Sequence, residues 1–329
     1  MSLGRSEPLA DARGPGRLVR LVLGTRELTL AILVLAIIAG MSLASPFFLS
    51  LANFRAIVIG MAPTAIIAIG MTVLLASGGF DLSVGSVLAL SSTIAAFLLI
   101  MGVPITLAVA AALVLGAVIG LVNGIVVTKI GVNPLVATLG SMLIVRGIAL
   151  VLTEGFSLSN LPPEFGWAGR AEVIGIPFVL WVTVLLVLVF DLAMRNGTFF
   201  RKIYYIGSNE KAARLSGLAV DRVRILAYML SGTLAAFAGV LLASRLMSGT
   251  PTAGNALELQ VLAAAVIGGA SLRGGEGTIL GAFLGVIFVA LINNAMTMLA
   301  VSIYWQMIVT GAVLVLAVAL DMLVLRRQE

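Results

Sequence analysis

Apolar residues fill this chain in long runs separated by short polar punctuation. Runs such as residues 28–48 and 180–190 lack the period-2 alternation of lipid-facing strands. Most reach about 20 residues, the length at which a helix crosses a bilayer. Backbone inside lipid must be satisfied internally, in helices or a closed barrel, and the missing alternation excludes the barrel. The pattern therefore predicts an all-α, polytopic membrane helical bundle of about ten transmembrane helices. They fall near residues 28–49, 54–76, 83–101, 104–127, 133–153, 175–194, 224–246, 258–270, 278–297 and 302–325. The eighth is short and reads as a broken or tilted segment. The first is too long for a signal-peptide core; Leu43-Ala44-Ser45 near its end imitates a cleavage site, but an uncleaved first span is the reading.

Composition agrees: 61% of the 329 residues are hydrophobic, 10% are charged, and mean hydropathy is +1.19, against about 25% charged in soluble domains. Charge then sets the orientation. An even number of spans puts both termini on one side. With that side cytoplasmic, sixteen of the 20 basic residues are inside. They are Arg5, Arg13, Arg17, Arg20 and Arg26 at the start, Lys129, Arg273, Arg326 and Arg327, and a group in and beside residues 195–223. That group is Arg195, Arg201, Lys202, Lys211, Arg214, Arg222 and Arg224. Arg55, Arg170 and Arg245 fall outside, and Arg146 lies within a span. The positive-inside bias thus predicts cytoplasmic N- and C-termini, and accounts for the +6 net charge without a nucleic-acid partner. The expected organisation is a cytoplasmic tail at 1–27, a transmembrane domain at 28–325 and a short cytoplasmic tail at 326–329. Two long connections interrupt it, an external one at 154–174 that caps the outer mouth and the internal one at 195–223.

Small residues recur at four-residue spacing: Gly116, Gly120 and Gly124; Gly232 and Ala236; Gly281 and Gly285. In lipid such faces let helix backbones approach closely, within one chain or between subunits. Five spans and five suggest an inverted repeat. The one internal match, Gly78-Gly79-x-x-Leu82-x-x-Gly85 with Gly268-Gly269-x-x-Leu272-x-x-Gly275, follows spans two and eight, which such a repeat does not superpose; it reads as shared turn composition.

The chain has no Cys and no His, which removes thiol chemistry, disulfides and the commonest general base. No metal site is expected. No P-loop pattern surrounds Lys129, Lys202 or Lys211, so a partner must supply any nucleotide-driven step. Asp81 and Ser83 lie in the glycine-rich interruption 76–86. They are either caps of the next helix at the membrane edge or members of a gating segment, because an Asp at mid-membrane depth costs about 2.5–3.5 kcal/mol. Asn123, Asn133, Thr138, Asn293, Asn294 and Gln306 are polar positions in or beside spans. They suit either helix-to-helix hydrogen bonds or a path for a neutral, hydroxyl-bearing solute. Within 207–217, Ser208 or Asn209 can cap a helix of about eight residues that Gly217 stops, and such a helix needs a surface to dock on. That surface is its own bundle or a partner. Asp221 is the expected cap of the following span.

The run Gly79-Phe80-Asp81-Leu82-Ser83-Val84-Gly85-Ser86 resembles the signature of ribose-type permeases, in the second carbohydrate-uptake family of ATP-binding-cassette (ABC) importers. Asn123-Gly124 through Asn133-Pro134 to Thr138-Leu139-Gly140 and Arg146-Gly147 agree in the same order. So do Asn209-Glu210-x-Ala212-Ala213-Arg214-Leu215-Ser216-Gly217, the stretch from Ala264 to Gly277, and Trp305-Gln306 to Asp321. Phe80 departs from the family's more frequent Ile. The resemblance implies a multi-pass subunit of a bacterial inner membrane that performs no covalent chemistry. It pairs with a second permease copy or paralogue, takes solute from a periplasmic binding protein, and is driven by cytoplasmic ABC ATPase subunits that carry the ATP and Mg. By the same resemblance Asn209, Glu210, Ala212, Ala213, Arg214, Leu215, Ser216 and Gly217 form the ATPase-coupling helix. Asp81, Ser83 and the amide and hydroxyl positions above are expected along the path. Arg55, Arg170 and Arg245 are either docking sites for the binding protein or incidental surface charge.

The expected solute is a pentose or hexose, with autoinducer-like furanoses, nucleosides or polyols as the alternative. Branched-chain amino acids fit the Asp81–Ser86 form less well. An ion-coupled secondary transporter would need more mid-membrane carboxylates than Asp81 and Glu276 provide. An intramembrane enzyme would need a nucleophile–base pair or metal cluster that the motifs do not supply.

Overall fold

The computed structural model describes residues 26–326, so the tails, with Arg5, Arg13, Arg17, Arg20 and Arg327, lie outside the described residues. The helices are α1 (Arg26–Ala44), α2 (Leu51–Ala76), α3 (Val84–Ile100), α4 (Ile105–Ile125, running into a π-turn at Val126–Ile130) and α5 (Pro134–Thr153). Next come α6 (Trp167–Arg170), α7 (Phe178–Asn196), α8 (Thr198–Ser208), α9 (Glu210–Leu215), α10 (Val220–Leu246), α11 (Leu257–Ile267), α12 (Ile279–Met298) and α13 (Ile303–Arg326). Seven are long and apolar enough to cross a membrane, and α3, α11 and the Ile303–Val313 stretch of α13 are shorter apolar helices.

Local chemistry sets the ends. Ser50 accepts from the Asn53 N–H at the start of α2, and Thr278 accepts from Gly281 at the start of α12. Asn133 accepts from Leu135 with Pro134 at the first helical position of α5, where a missing N–H costs nothing. α1 closes at Ala44, short of the expected 49, because Pro46 disfavours helical backbone at Ser45. α10 opens at Val220, before the expected 224.

The connection at 195–223 is mostly helix. α8 buries Ile203 and Ile206 and exposes Arg201 and Lys202, one apolar edge on an otherwise polar turn of chain. At the opposite end of α10, the 154–177 connection holds a two-stranded hairpin, β1 (Glu172–Val173) with β2 (Ile176–Pro177). Its Leu161 and Phe165 are buried with Ala96, Ala108 and Ala243, so the segment closes that end of the bundle.

Two helices form the centre. The spanning window of α2 is 78% buried, against 17% in α1 and α5. α10 packs on α2, α3 and α4 together. Its small residues make this possible: a Cβ added at Gly116 or Gly120 of α4 would lie 2.4 Å from the Gly232 carbonyl or 2.2 Å from that of Tyr228. One at Gly70 of α2 would lie 2.7 Å from the Ser231 Cα, and one at Gly239 would lie 2.3 Å from the Leu88 carbonyl of α3. The Gly116–Gly120–Gly124 and Gly281–Gly285 stripes therefore serve packing within the chain, the latter against Gly268 and Ala264 of α11 and its end.

Gly120→Ala overpacks this contact, at a cost of about 1–3 kcal/mol, and is expected to lower the melting temperature of the detergent-solubilised protein by several degrees. Gly140→Ala on α5, where an added Cβ meets nothing within 4 Å, is expected to leave it unchanged or raise it.

Candidate functional site

The interruption after α2 is a buried polar knot. Asp81 and Ser83 are fully buried, and Asp81 Oδ1 accepts from the Ser83 N–H at 2.8 Å and the Ser83 hydroxyl at 2.5 Å. Asn123 of α4 donates to Ser83 Oγ at 3.0 Å, and the Tyr228 hydroxyl of α10 donates to the Phe80 carbonyl at 3.1 Å. Neither expected cap acts as one. Ser83 occupies the cap position of α3 without a side-chain bond to its first turn, and Asp81 instead closes a local turn onto Ser83. Helical backbone already at Ser83 turns its hydroxyl away from the first turn of α3 and toward Asp81. The structure thus brings Asp81, Ser83 and Asn123 together as one knot linking α3, α4 and α10.

A second polar group lines open space. Two adjoining cavities of about 240 and 510 Å³ lie between α2, α11, α12 and α13 and share Gln260 and Asn293. Thr64, Asn294 and Thr297 line the first; Asn255, Gln306 and Thr310 line the second. Asn294 and Asn53 exchange amide hydrogen bonds of 2.7 and 3.2 Å, and the Gln306 amide donates to the Val301 carbonyl at 3.0 Å. All these side chains are uncharged. Sequence reasoning found Asn293, Asn294 and Gln306 but missed Gln260 and Thr64. Gln260 carried a signal, as the one uncharged polar residue of the apolar α11, whereas Thr64 beside Pro63 carried none. Asn133 and Thr138 lie elsewhere, as the cap of α5 and as a buried hydroxyl donating to the Pro134 carbonyl.

At the other end of the polar inventory, α9 has six residues rather than about eight. Asn209 Oδ1 accepts from the Ala212 N–H at 3.0 Å, and Gly217, at φ +80°, ends the turn as expected. Only Ala213 is buried. Lys211, Ala212, Leu215 and Ser216 face outward, with Leu215 89% exposed. Ion pairs hold the helix in place: Arg214 with Glu210 at 2.9 Å and Asp221 at 2.7 Å, Arg224 with Glu210 at 2.7 Å, and Lys129 with Asp221 at 2.7 Å. Asp221 is therefore not the cap of α10. Ala219 holds that position, and the Asp221 carboxylate is taken by Lys129 and Arg214. Burial works to raise the Glu210 carboxyl, but the hydrogen bonds and charges of Arg214 and Arg224 outweigh it and hold the group below its ordinary value.

The three arginines expected at the outer face all have intramolecular partners. Arg55 pairs with Glu172 at 2.7 Å and donates to the Gly175 carbonyl, joining the start of α2 to the hairpin. Arg170 Nε donates to the Arg245 carbonyl at 2.9 Å. Arg245 Nη1 donates to the Ile59 carbonyl at 3.1 Å. That carbonyl is the one Pro63 leaves without its helical N–H donor, four residues on. Arg245 thus satisfies the carbonyl freed in α2 beside the Gly60–Thr64 wall of the first cavity. Arg146, within α5, donates to the Pro251 and Ala253 carbonyls at 2.6 and 2.7 Å and pins the segment before α11.

A bundle of long apolar helices around an uncharged, amide-lined cavity defines a polytopic membrane permease. Residues 53–318 match the family described as "Branched-chain amino acid transport system / permease component", and the chain belongs to that family. It is 41% identical over 294 residues to the ribose import permease protein RbsC of Escherichia coli (strain K12), covering 88% of this chain and 92% of the relative. The Bacillus subtilis (strain 168) ribose import permease protein is also 41% identical, over 89% of this chain and 91% of its own. The L-arabinose transport system permease protein AraH of E. coli (strain K12) is 37% identical over 84% of each chain. No solved structure matches the chain.

Arg245→Met leaves the Ile59 carbonyl unpaired and is expected to cost about 1–3 kcal/mol. Adding Pro63→Ala restores the N–H donor, so a double-mutant cycle of thermal stability should show the second change recovering much of the loss. A depressed Glu210 pKa contributes stability that is present above the ordinary value of 4.5 and is lost as pH falls through the lower folded value. Proteolytic protection of residues 198–217 is accordingly expected to hold from about pH 8 to about pH 5 and to fail only in stronger acid.

Proposed function

We propose that this chain is the membrane-spanning subunit of an ABC importer that carries a pentose or hexose across a bacterial inner membrane. The observation that carries the reading is its likeness, at 41% identity along nearly the whole chain, to permeases named for ribose import. The cavity chemistry supports it. Gln260, Asn293, Asn294 and Thr64 can donate to and accept from sugar hydroxyls. An amino acid zwitterion entering the same space would meet no charge to pair with either of its own, although the family description names branched-chain amino acids.

In this reading the seven long and three shorter apolar helices make ten spans, with both termini cytoplasmic. The path forms where the chain meets a second permease copy or paralogue. α9, six residues long with Leu215 projecting, is too short to stand alone and docks into a cytoplasmic ATPase that carries ATP and Mg. The connection with β1 and β2 receives the periplasmic solute-binding protein. Arg55 and Arg170 are available at that surface, Arg55 while holding the hairpin; Arg245 contributes through the packing beneath. Asp81, Ser83 and Asn123 keep the break between α2 and α3 in shape rather than touching solute.

The test is uptake of radiolabelled solutes into proteoliposomes containing the chain with its ATPase and binding protein. ATP-dependent accumulation of one pentose or hexose is the expected result. Accumulation of a furanose signal, nucleoside or polyol instead would reassign the cargo, and accumulation on an ion gradient without the ATPase would overturn the importer. Asn293→Leu is expected to reduce uptake by about tenfold or more while ATP hydrolysis continues.

A further inference from the structure

Two bridges lead from α9 into α10, and one of them continues into the centre of the bundle. Arg214 reaches Asp221, from which Lys129 leads only to the turn that ends α4. Arg224 donates through Nη1 to Glu210 Oε2 at 2.7 Å and through Nε and Nη2 to the Ser77 carbonyl at 3.1 Å each. Ser77 caps the C-terminus of α2, where the negative end of the helix dipole favours a guanidinium. Arg224 is also the more enclosed partner of its pair, its side chain 17% exposed against 38% for Glu210.

The end of α2 is gripped from other sides as well. The Gly275 N–H donates to the Ala76 carbonyl at 3.0 Å, and α8 passes so close that a Cβ on Gly207 would lie 2.0 Å from that same oxygen. From Ser77, α2 runs back to Thr64 on the cavity wall, about 20 Å at 1.5 Å per residue. There Pro63 removes a helix hydrogen bond, and Arg245, on the last turn of the same α10, holds the freed carbonyl. α2 is thus one continuous helix from its C-terminal cap past the cavity, with its hydrogen-bond ladder missing one bond at Pro63, where the cavity begins.

We propose that Arg224 is a positioning residue of transport: it delivers displacement of α9 to the end of α2, which bends at Pro63 and reshapes the amide-lined cavity. This rests on the reading that α9 meets an ATPase. The alternative is an anchor, in which Arg224 only keeps α9 folded.

The two differ in stoichiometry. In proteoliposomes with the ATPase and binding protein, solute uptake and ATP hydrolysis are measured together for the unmodified chain, Arg224→Gln and Arg224→Lys. Arg224→Gln is expected to bind the ATPase and sustain hydrolysis while solute moved per ATP falls about tenfold. Arg224→Lys, which keeps the charge without the fork that reaches two acceptors, is expected to fall between. Because the chain contains no Cys, a spin label at Phe80→Cys gives a second readout, expected to respond to ATP in the otherwise unmodified chain and to lose that response with Arg224→Gln. An unchanged ratio with an unchanged label response overturns the proposal. Loss of ATPase binding in both variants, with uptake and hydrolysis falling together, overturns it in favour of the anchor. Absence of ATP-dependent uptake by the unmodified chain would instead sink the importer reading itself.

Discussion

Lipid removes the hydrophobic drive that gathers helices in water, so a bundle in a membrane depends on how closely backbones can approach. Here that condition is met around α10. Gly232 against Gly116, Tyr228 against Gly120, Ser231 against Gly70 and Gly239 against Leu88 bring three neighbours onto one helix at near-backbone contact. The polar knot at the end of α2 is arranged on this frame. Tyr228 reaches Phe80 only because α10 lies against the end of α2, and Asn123 reaches Ser83 only because α4 is seated on α10.

The buried polar side chains divide by what they touch. Asp81, Ser83 and Asn123 satisfy one another and the backbone at an interruption between helices, which lets the chain break inside a closely packed region without orphaning most of its polar groups. Gln260, Asn293 and Gln306, half-buried, border open space instead. Asn123 and Asn293 are the same residue type, each in an apolar helix, yet they fall into different groups. The difference between a structural amide and one that lines a cavity lies in its neighbours.

The arginines illustrate the same point. Arg224 and Arg245 stand near the two ends of α10 and each donates to a carbonyl of α2 that lacks its helical partner, one at a C-terminus and one below a proline. A positive charge counted toward orientation is also a donor, and in a bundle with broken helices donors are needed where carbonyls are freed. Family membership and the likeness to sugar-import permeases say what kind of machine this is. These contacts say how its parts are joined.

The long apolar helices were legible along the chain because crossing a bilayer demands about 20 apolar residues and forbids unpaired backbone, constraints that act on each segment alone. The turn at Asn209–Gly217 was legible too, since caps and stops are local chemistry. α8 was not, because its apolar edge is a few residues in a charged connection and acquires meaning only against the bundle. Nor was the role of Arg245, whose partner carbonyl lies 186 residues away. The amides at 260, 293 and 306 join one cavity, while those at 123 and 133 serve elsewhere. Which helices lie side by side is decided by packing, and only that brings distant polar groups within hydrogen-bond reach.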